Sequence, residues 1–135
     1  MGVITTTKEL RQFLLGHEYK PHGNESATSF AFMEKEDRYI IIAYSNEKGE
    51  LSSIRFLVKF PTNTVDELIV LRFVNSCNES SNIERVFYNE KVGIGFEMLI
   101  TCDLGISGEM LLGYVEQFEG KVGYFIDDMM ENNLI

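Results

Sequence analysis

A chain of 135 residues with 21 acidic against 12 basic side chains carries a net charge of −9, a size that suits one domain spanning 1–135 and a charge that disfavours nucleic-acid and anionic-membrane partners. No stretch reaches the ~20 apolar residues of a membrane span and no basic-then-apolar run opens the chain, so the expectation is a soluble cytoplasmic protein. Cys77 and Cys102 lack C-x-x-C spacing and sit among apolar residues, which predicts reduced packing residues rather than a disulfide or a metal site.

The first helix opens at Thr6, where Thr6 and Glu9 have capping-box spacing; Leu10, Phe13 and Leu14 follow on one face, and Gly16 ends it. Residues 17–25, which include Pro21 and Gly23, read as a polar connection. Strands follow at 29–33, 38–45 and 51–60, joined by the turns at 34–37 and 46–49 and stopped by Pro61. The middle strand is apolar on both faces: Tyr39, Ile41 and Ala43 point one way, and Ile40, Ile42 and Tyr44 the other. In the third strand Ile54, Phe56, Val58 and Phe60 alternate with Ser53, Arg55, Leu57 and Lys59.

Thr64 and Glu67 supply a second capping box for a helix over 65–78. Its main apolar arc is Ile69, Val70, Phe73, Val74 and Cys77, while Leu68 and Leu71 project from the opposite side, so one packing partner cannot cover both. A strand over 83–88 turns back at 89–91 into a strand over 92–102, where Val92, Ile94, Phe96, Met98, Ile100 and Cys102 hold a strict period of two. After the break at 103–105, Ser107 caps a long helix to Met130, with Ile106 and Leu111 placed as a hydrophobic staple. Leu111, Tyr114, Val115, Phe118, Val122, Phe125, Ile126 and Met129 form its apolar stripe. Gly113, Gly120 and Gly123 each cost roughly 1 kcal/mol relative to alanine inside a helix, which predicts a bend near Gly120. The order helix, three-strand meander, helix, two-strand hairpin, long helix predicts an α+β domain: a mainly antiparallel five-stranded sheet with helices packed on it.

Chemistry-bearing motifs are few. His17 and His22 flank Pro21 and so do not share the helical face that two metal ligands need. Gly93-Ile94-Gly95 lies inside a strand pattern and lacks the third glycine of a dinucleotide fingerprint, so close packing over those glycines is the better reading. Asp127-Asp128 and the acidic turn at 34–37 lack the spaced oxygen ligands of a calcium loop. Met110, Met129 and Met130 suit core filling better than an adaptable binding surface. No serine, cysteine or carboxylate has a recognisable base beside it, so no catalytic, cofactor or metal residue is assigned and no enzyme is expected. Asn24 and Asn78 match the glycosylation pattern, which carries no weight without a secretory signal.

Three stretches resemble a known family: the strand Ser53-Ile-Arg-Phe-Leu-Val-Lys-Phe60, the helix end Phe73-Val-Asn-Ser-Cys-Asn78, and the hairpin Val86-Phe-Tyr-Asn-Glu-Lys-Val-Gly-Ile-Gly-Phe-Glu-Met98. Together with the element order they resemble the YbjN-like family of bacterial proteins, within the type III secretion chaperone-like fold. The resemblance implies a non-enzymatic protein that works by binding other protein, often as a homodimer, in a chaperone-like or sensory-transduction regulatory role.

Two interaction surfaces are expected on this reading. If the helices cover one face of the sheet, one apolar set of the 38–45 strand is left open, and Tyr39 and Ile41, with Leu57 and Leu99, are the candidate partner-binding residues. Leu68 and Leu71 are the candidate homodimer seam. The alternative from a different class is a small-molecule-binding or catalytic domain with a pocket between the last helix and the sheet.

Overall fold

A computed structural model describes residues 2–23, 25–63, 66–79 and 84–135. In chain order it runs β1 (Val3–Ile4), α1 (Thr7–Gly16), β2 (Lys20–Pro21), β3 (Ser29–Met33), β4 (Ile40–Ser45), β5 (Leu51–Phe60), α2 (Glu67–Glu79), β6 (Glu84–Asn89), β7 (Gly93–Thr101), β8 (Ile106–Ser107) and α3 (Gly108–Glu131). The local start signals act as expected. Thr6 Oγ1 accepts from the Glu9 N–H while the Glu9 carboxylate accepts from the Thr6 N–H, each at 3.2 Å. That carboxylate also accepts from the Thr5 N–H, and the backbone and hydroxyl donors of Thr5, then the Thr6 hydroxyl, hold its pKa below the usual value. Ser107 Oγ caps α3 by accepting from the Met110 N–H at 3.0 Å. Thr64, Val65 and Ile83 lie outside the described residues, so the second capping box and the first residues expected of that helix and of the following strand do too.

The main sheet has six strands in the order β2-β3-β4-β5-β7-β6, with every neighbouring pair antiparallel. The extra strand corrects the expected five: Lys20 and Pro21, in the segment read as a connection, pair with Met33 and Phe32. Two residues carry no periodicity, and a proline is tolerated there because the strand is at the edge. A separate pairing, also unforeseen, joins β1 to β8 and ties the chain start to the entry of α3. At the other edge the Asn78 side chain takes the place of a further strand: its amide donates to the Val86 carbonyl and its oxygen accepts from the Val86 N–H, both at 2.8 Å. One outward-facing pair of backbone groups on that edge is thus satisfied.

All three helices pack on one face of the sheet. Phe118 of α3 meets the rings of Tyr39, Phe56 and Phe96 at centroid distances of 5.4, 5.5 and 5.8 Å. Phe125, two turns on, meets Phe60, Phe96 and, from α2, Phe73. From α1, Leu10 and Leu14 are fully buried and Arg11 lies over the Phe30 ring at 4.7 Å. α3 runs unbroken through Gly120 for 24 residues. Burying a large apolar side chain stabilises by about 1.5 to 3 kcal/mol. Phe118 and Phe125, on either side of Gly120, therefore outweigh the roughly 1 kcal/mol that each glycine costs. The glycines of β7 behave as the sequence suggests: a Cβ at Gly93, whose φ is +100°, would collide with the Phe60 carbonyl, and one at Gly95 would enter the Phe87 ring.

Two packing expectations need correction on α2 and nearby. Ile69, placed in the buried arc, is 46% exposed, because the buried side of α2 is centred on Val70, Phe73 and Val74. Cys77 is only half-buried, whereas Cys102 is buried. Burial, with Asp103 nearby, pushes the Cys102 thiol up to about 11, and burial with Asp128 raises Cys77, so both stay protonated at neutral pH.

Candidate functional site

One-sided helix packing decides which half of the sheet faces outward. Register pairs Ile41 with Phe56 and Phe56 with Met98, so Tyr39, Ile41 and Ala43 lie on the covered face. Tyr39 and Ile41 are accordingly buried, and their assignment as partner-binding residues is overturned. The other set, Ile40, Ile42 and Tyr44, is half-buried on the open face. Leu57 and Leu99 share that face, but Leu57 is only 4% exposed and, like Tyr39 and Ile41, offers a partner almost no surface, whereas Leu99 is 51% exposed. Met33 and Ala31 extend the apolar surface onto β3, opposite Ile40 and Ile42. Sequence periodicity leaves the two faces of β4 equivalent, since both read apolar; only the long-range aromatic contacts to α3 distinguish them.

The open face also carries charge that no local motif announces. Glu97 of β7, buried itself, accepts from the Arg55 guanidinium of β5 through Oε2 and meets Arg85 Nε of β6 through Oε1 at 3.5 Å. Arg85 further stacks over Phe87 at 5.5 Å, and that ring occupies the space above Gly95. Strand residues on this face bring four cations, Lys20, Arg55, Lys59 and Arg85, against one anion, Glu97, which is 4 − 1 = +3. On a chain of −9 this leaves −12 on everything else.

A second polar cluster lies at the end of β4 under α3. The Tyr39 hydroxyl donates to Glu119 Oε2 at 2.7 Å, and the Tyr19 hydroxyl lies 3.1 Å from that of Tyr39. A phenol that donates to the carboxylate can only accept from its neighbour, so Tyr19 donates to Tyr39. Arg38 bridges the cluster, binding Glu34 through two nitrogens and Glu119 at 3.1 Å. Burial, then the bonds to Tyr19 and Glu119, keeps Tyr39 protonated at all ordinary pH. For Glu34 burial acts upward, but the Arg38 hydrogen bonds and the Glu36 and Arg38 N–H groups win and hold the carboxyl low. A cavity of about 350 Å³ adjoins this network, lined by His17, Tyr19, Lys35 and Leu112 among others. Its charges are already matched inside the protein, which makes it a brace between β4 and α3. His17 is engaged locally: Nδ1 bonds the Phe13 carbonyl at 2.9 Å, and its ring stacks on Phe13. Among the described residues no group of three or more His, Cys, Asp or Glu side chains is placed to hold a metal ion. No described helix is long and apolar enough to cross a membrane.

On α2, Leu68 and Leu71 are 56% and 42% exposed, so both lie outside the core as the wheel indicated, and Ile69 joins them. A groove of about 500 Å³ runs beside them between α2 and the end of α3, lined by Ile69, Phe73, Cys77, Asp128 and Asn132.

No protein-family model matches this chain, and no curated protein matches it in sequence. Among solved structures it is similar to the crystal structure of YbjN from E. coli, described as a proposed transcription regulator, with a TM-score of 0.69 and 14% identity over 98% of each chain. The chain therefore has the YbjN-like α+β fold.

Proposed function

We propose that the chain is a non-enzymatic, protein-binding regulatory module of the YbjN type, which docks a partner segment on the open face of its sheet and pairs with a second copy through α2. One observation carries the reading: three helices share one face, so a six-stranded sheet presents Ile40, Ile42, Tyr44 and Leu99 on a face that no helix covers. Half-buried Ile40, Ile42 and Tyr44, with exposed Leu99 across Arg55, make a mixed apolar and charged surface, the composition of an interaction site with a polar rim. The cavity beneath α3 gives the small-molecule alternative less support, because the buried groups around it bond one another rather than point unpaired at a ligand. The similar structure is described as a proposed transcription regulator, which agrees with a regulatory role.

The test is recovery of a stoichiometric protein partner from the source cells with the wild type and with Leu99→Glu combined with Ile42→Gln. Circular dichroism checks that the variant folds. A partner retained by the wild type and lost from the folded variant is the expected result; equal recovery by both places binding elsewhere and refutes the assignment.

A further inference from the structure

The charge on the open face narrows the kind of partner. Resting on the reading that this face binds protein, we propose that it selects an acidic segment, whose carboxylates engage Arg85, Arg55 and Lys59 while an apolar side chain enters a hollow beside Ile40 and Leu57.

The first support is complementarity. The strand residues of the open face sum to +3 while the rest of the chain sums to −12, so charge favours the approach of a negatively charged segment to the face that is also apolar. The second is preorganisation. One Glu97 carboxylate serves two guanidiniums, and it meets Arg85 through Nε. The Arg85 side chain is 68% exposed, so its guanidinium can reach a carboxylate of a docked segment while it rests over Phe87. Side chains already fixed lose little entropy on binding. The third is the hollow of about 230 Å³, lined by Ile40, Leu57, Lys59, His22, Asp37 and Arg38 among others. It is below the roughly 300 Å³ at which small-molecule sites begin and adjoins the cationic patch through Lys59, which suits one anchoring side chain of a longer segment.

A nucleic acid fits less well, although the face carries an aromatic ring among arginines. A strand places a phosphate about every 3.4 Å in a duplex, and six strands about 4.8 Å apart make a face roughly 24 Å wide. About seven phosphates would then meet a surplus of three cations, and the flanking nucleotides would meet the acidic body. A peptide can place a few carboxylates and leave the rest neutral.

The test uses fluorescein-labelled peptides of about sixteen residues with leucine at every fourth position and serine elsewhere, one with about four central serines replaced by glutamate and one with glutamine at those positions, and an oligothymidylate of the same length as the competitor class. Binding is read by anisotropy at about 50 and 300 mM salt, a range over which exposed charge pairs are increasingly screened. Protein amide shifts locate the site. The variant Lys59→Gln with Arg85→Gln lowers the face from +3 to +1 while leaving Arg55 on the buried Glu97. The expected result is glutamate peptide at least about tenfold tighter than glutamine peptide, weakened by salt, at least about fivefold weaker on the folded variant, and shifting Arg55, Leu99 and Ile40. Equal affinity for the glutamine peptide, an unaffected variant, tighter binding of the oligothymidylate, shifts confined to other surfaces, or binding of neither peptide at about 1 mM each overturns it. If it is overturned while Leu99→Glu with Ile42→Gln still loses a partner from cells, the face binds protein of another chemistry and only the acidic selection fails.

Discussion

The proposed pairing of two copies through α2 can be tested with Leu68→Glu and Leu71→Glu together. The two leucines are 56% and 42% exposed, so each still has about half its surface to bury. Full burial of such a side chain is worth about 1.5 to 3 kcal/mol, so half of each, summed over the four leucines of two copies, gives about 3 to 6 kcal/mol. Association costs an estimated 4 to 15 kcal/mol, so this patch is comparable with the cost and cannot be lost without consequence. At 1.4 kcal/mol per tenfold, the double variant should weaken dimerisation by about a hundredfold or more, before the repulsion of four added carboxylates. Both positions are outside the monomer core, so the fold should survive. Sedimentation velocity over about 1 to 200 μM, with circular dichroism alongside, should show a wild-type dimer and a folded monomeric variant. A wild type that stays monomeric throughout, or a variant as dimeric as the wild type, refutes the seam.

Three further outcomes follow from the covered side of the sheet. Phe118→Ala removes a fully buried ring that touches three others and should cost about 3 to 5 kcal/mol in urea denaturation; a loss under 1 kcal/mol would mean that α3 does not pack there. Gly120→Ala should stabilise by up to about 1 kcal/mol, because a Cβ there meets nothing within 4 Å and the helix is continuous; destabilisation would point to a bend. The Glu34 carboxyl has a folded pKa below the ordinary glutamate value, so its contribution to stability is present above that ordinary value and is lost as pH falls through the folded pKa. The urea midpoint should therefore drop less between pH 5 and about pH 3 in Glu34→Gln than in the wild type, and an equal drop in both would remove the Arg38 pairing as its cause.

Much of the local structure was legible in the residues because its causes are local. Thr6 and Glu9, three positions apart, satisfy each other's backbone donors whatever surrounds them, and Ser107 does the same for α3. The period of two through Ile94, Phe96, Met98 and Ile100, and the stripe through Leu111, Val115, Phe118 and Phe125, stated which sides of β7 and α3 had to be buried. The exposure of Leu68 and Leu71 followed from the same reasoning, because a helix with apolar residues on opposite sides cannot hide both against one sheet. Tertiary structure decided whatever depended on distant partners. β4 is apolar on both faces, so its pattern could not say whether Tyr39 and Ile41 or Ile40 and Ile42 would face out; Phe118, 79 positions beyond Tyr39, settled it by packing on the first set. Arg55, Glu97 and Arg85 are unremarkable in sequence and become one cluster only because β7 inserts between β5 and β6. Pattern along a chain records the burial each residue requires, whereas a binding surface arises from which strands become neighbours, and that choice is made by contacts between residues far apart in sequence.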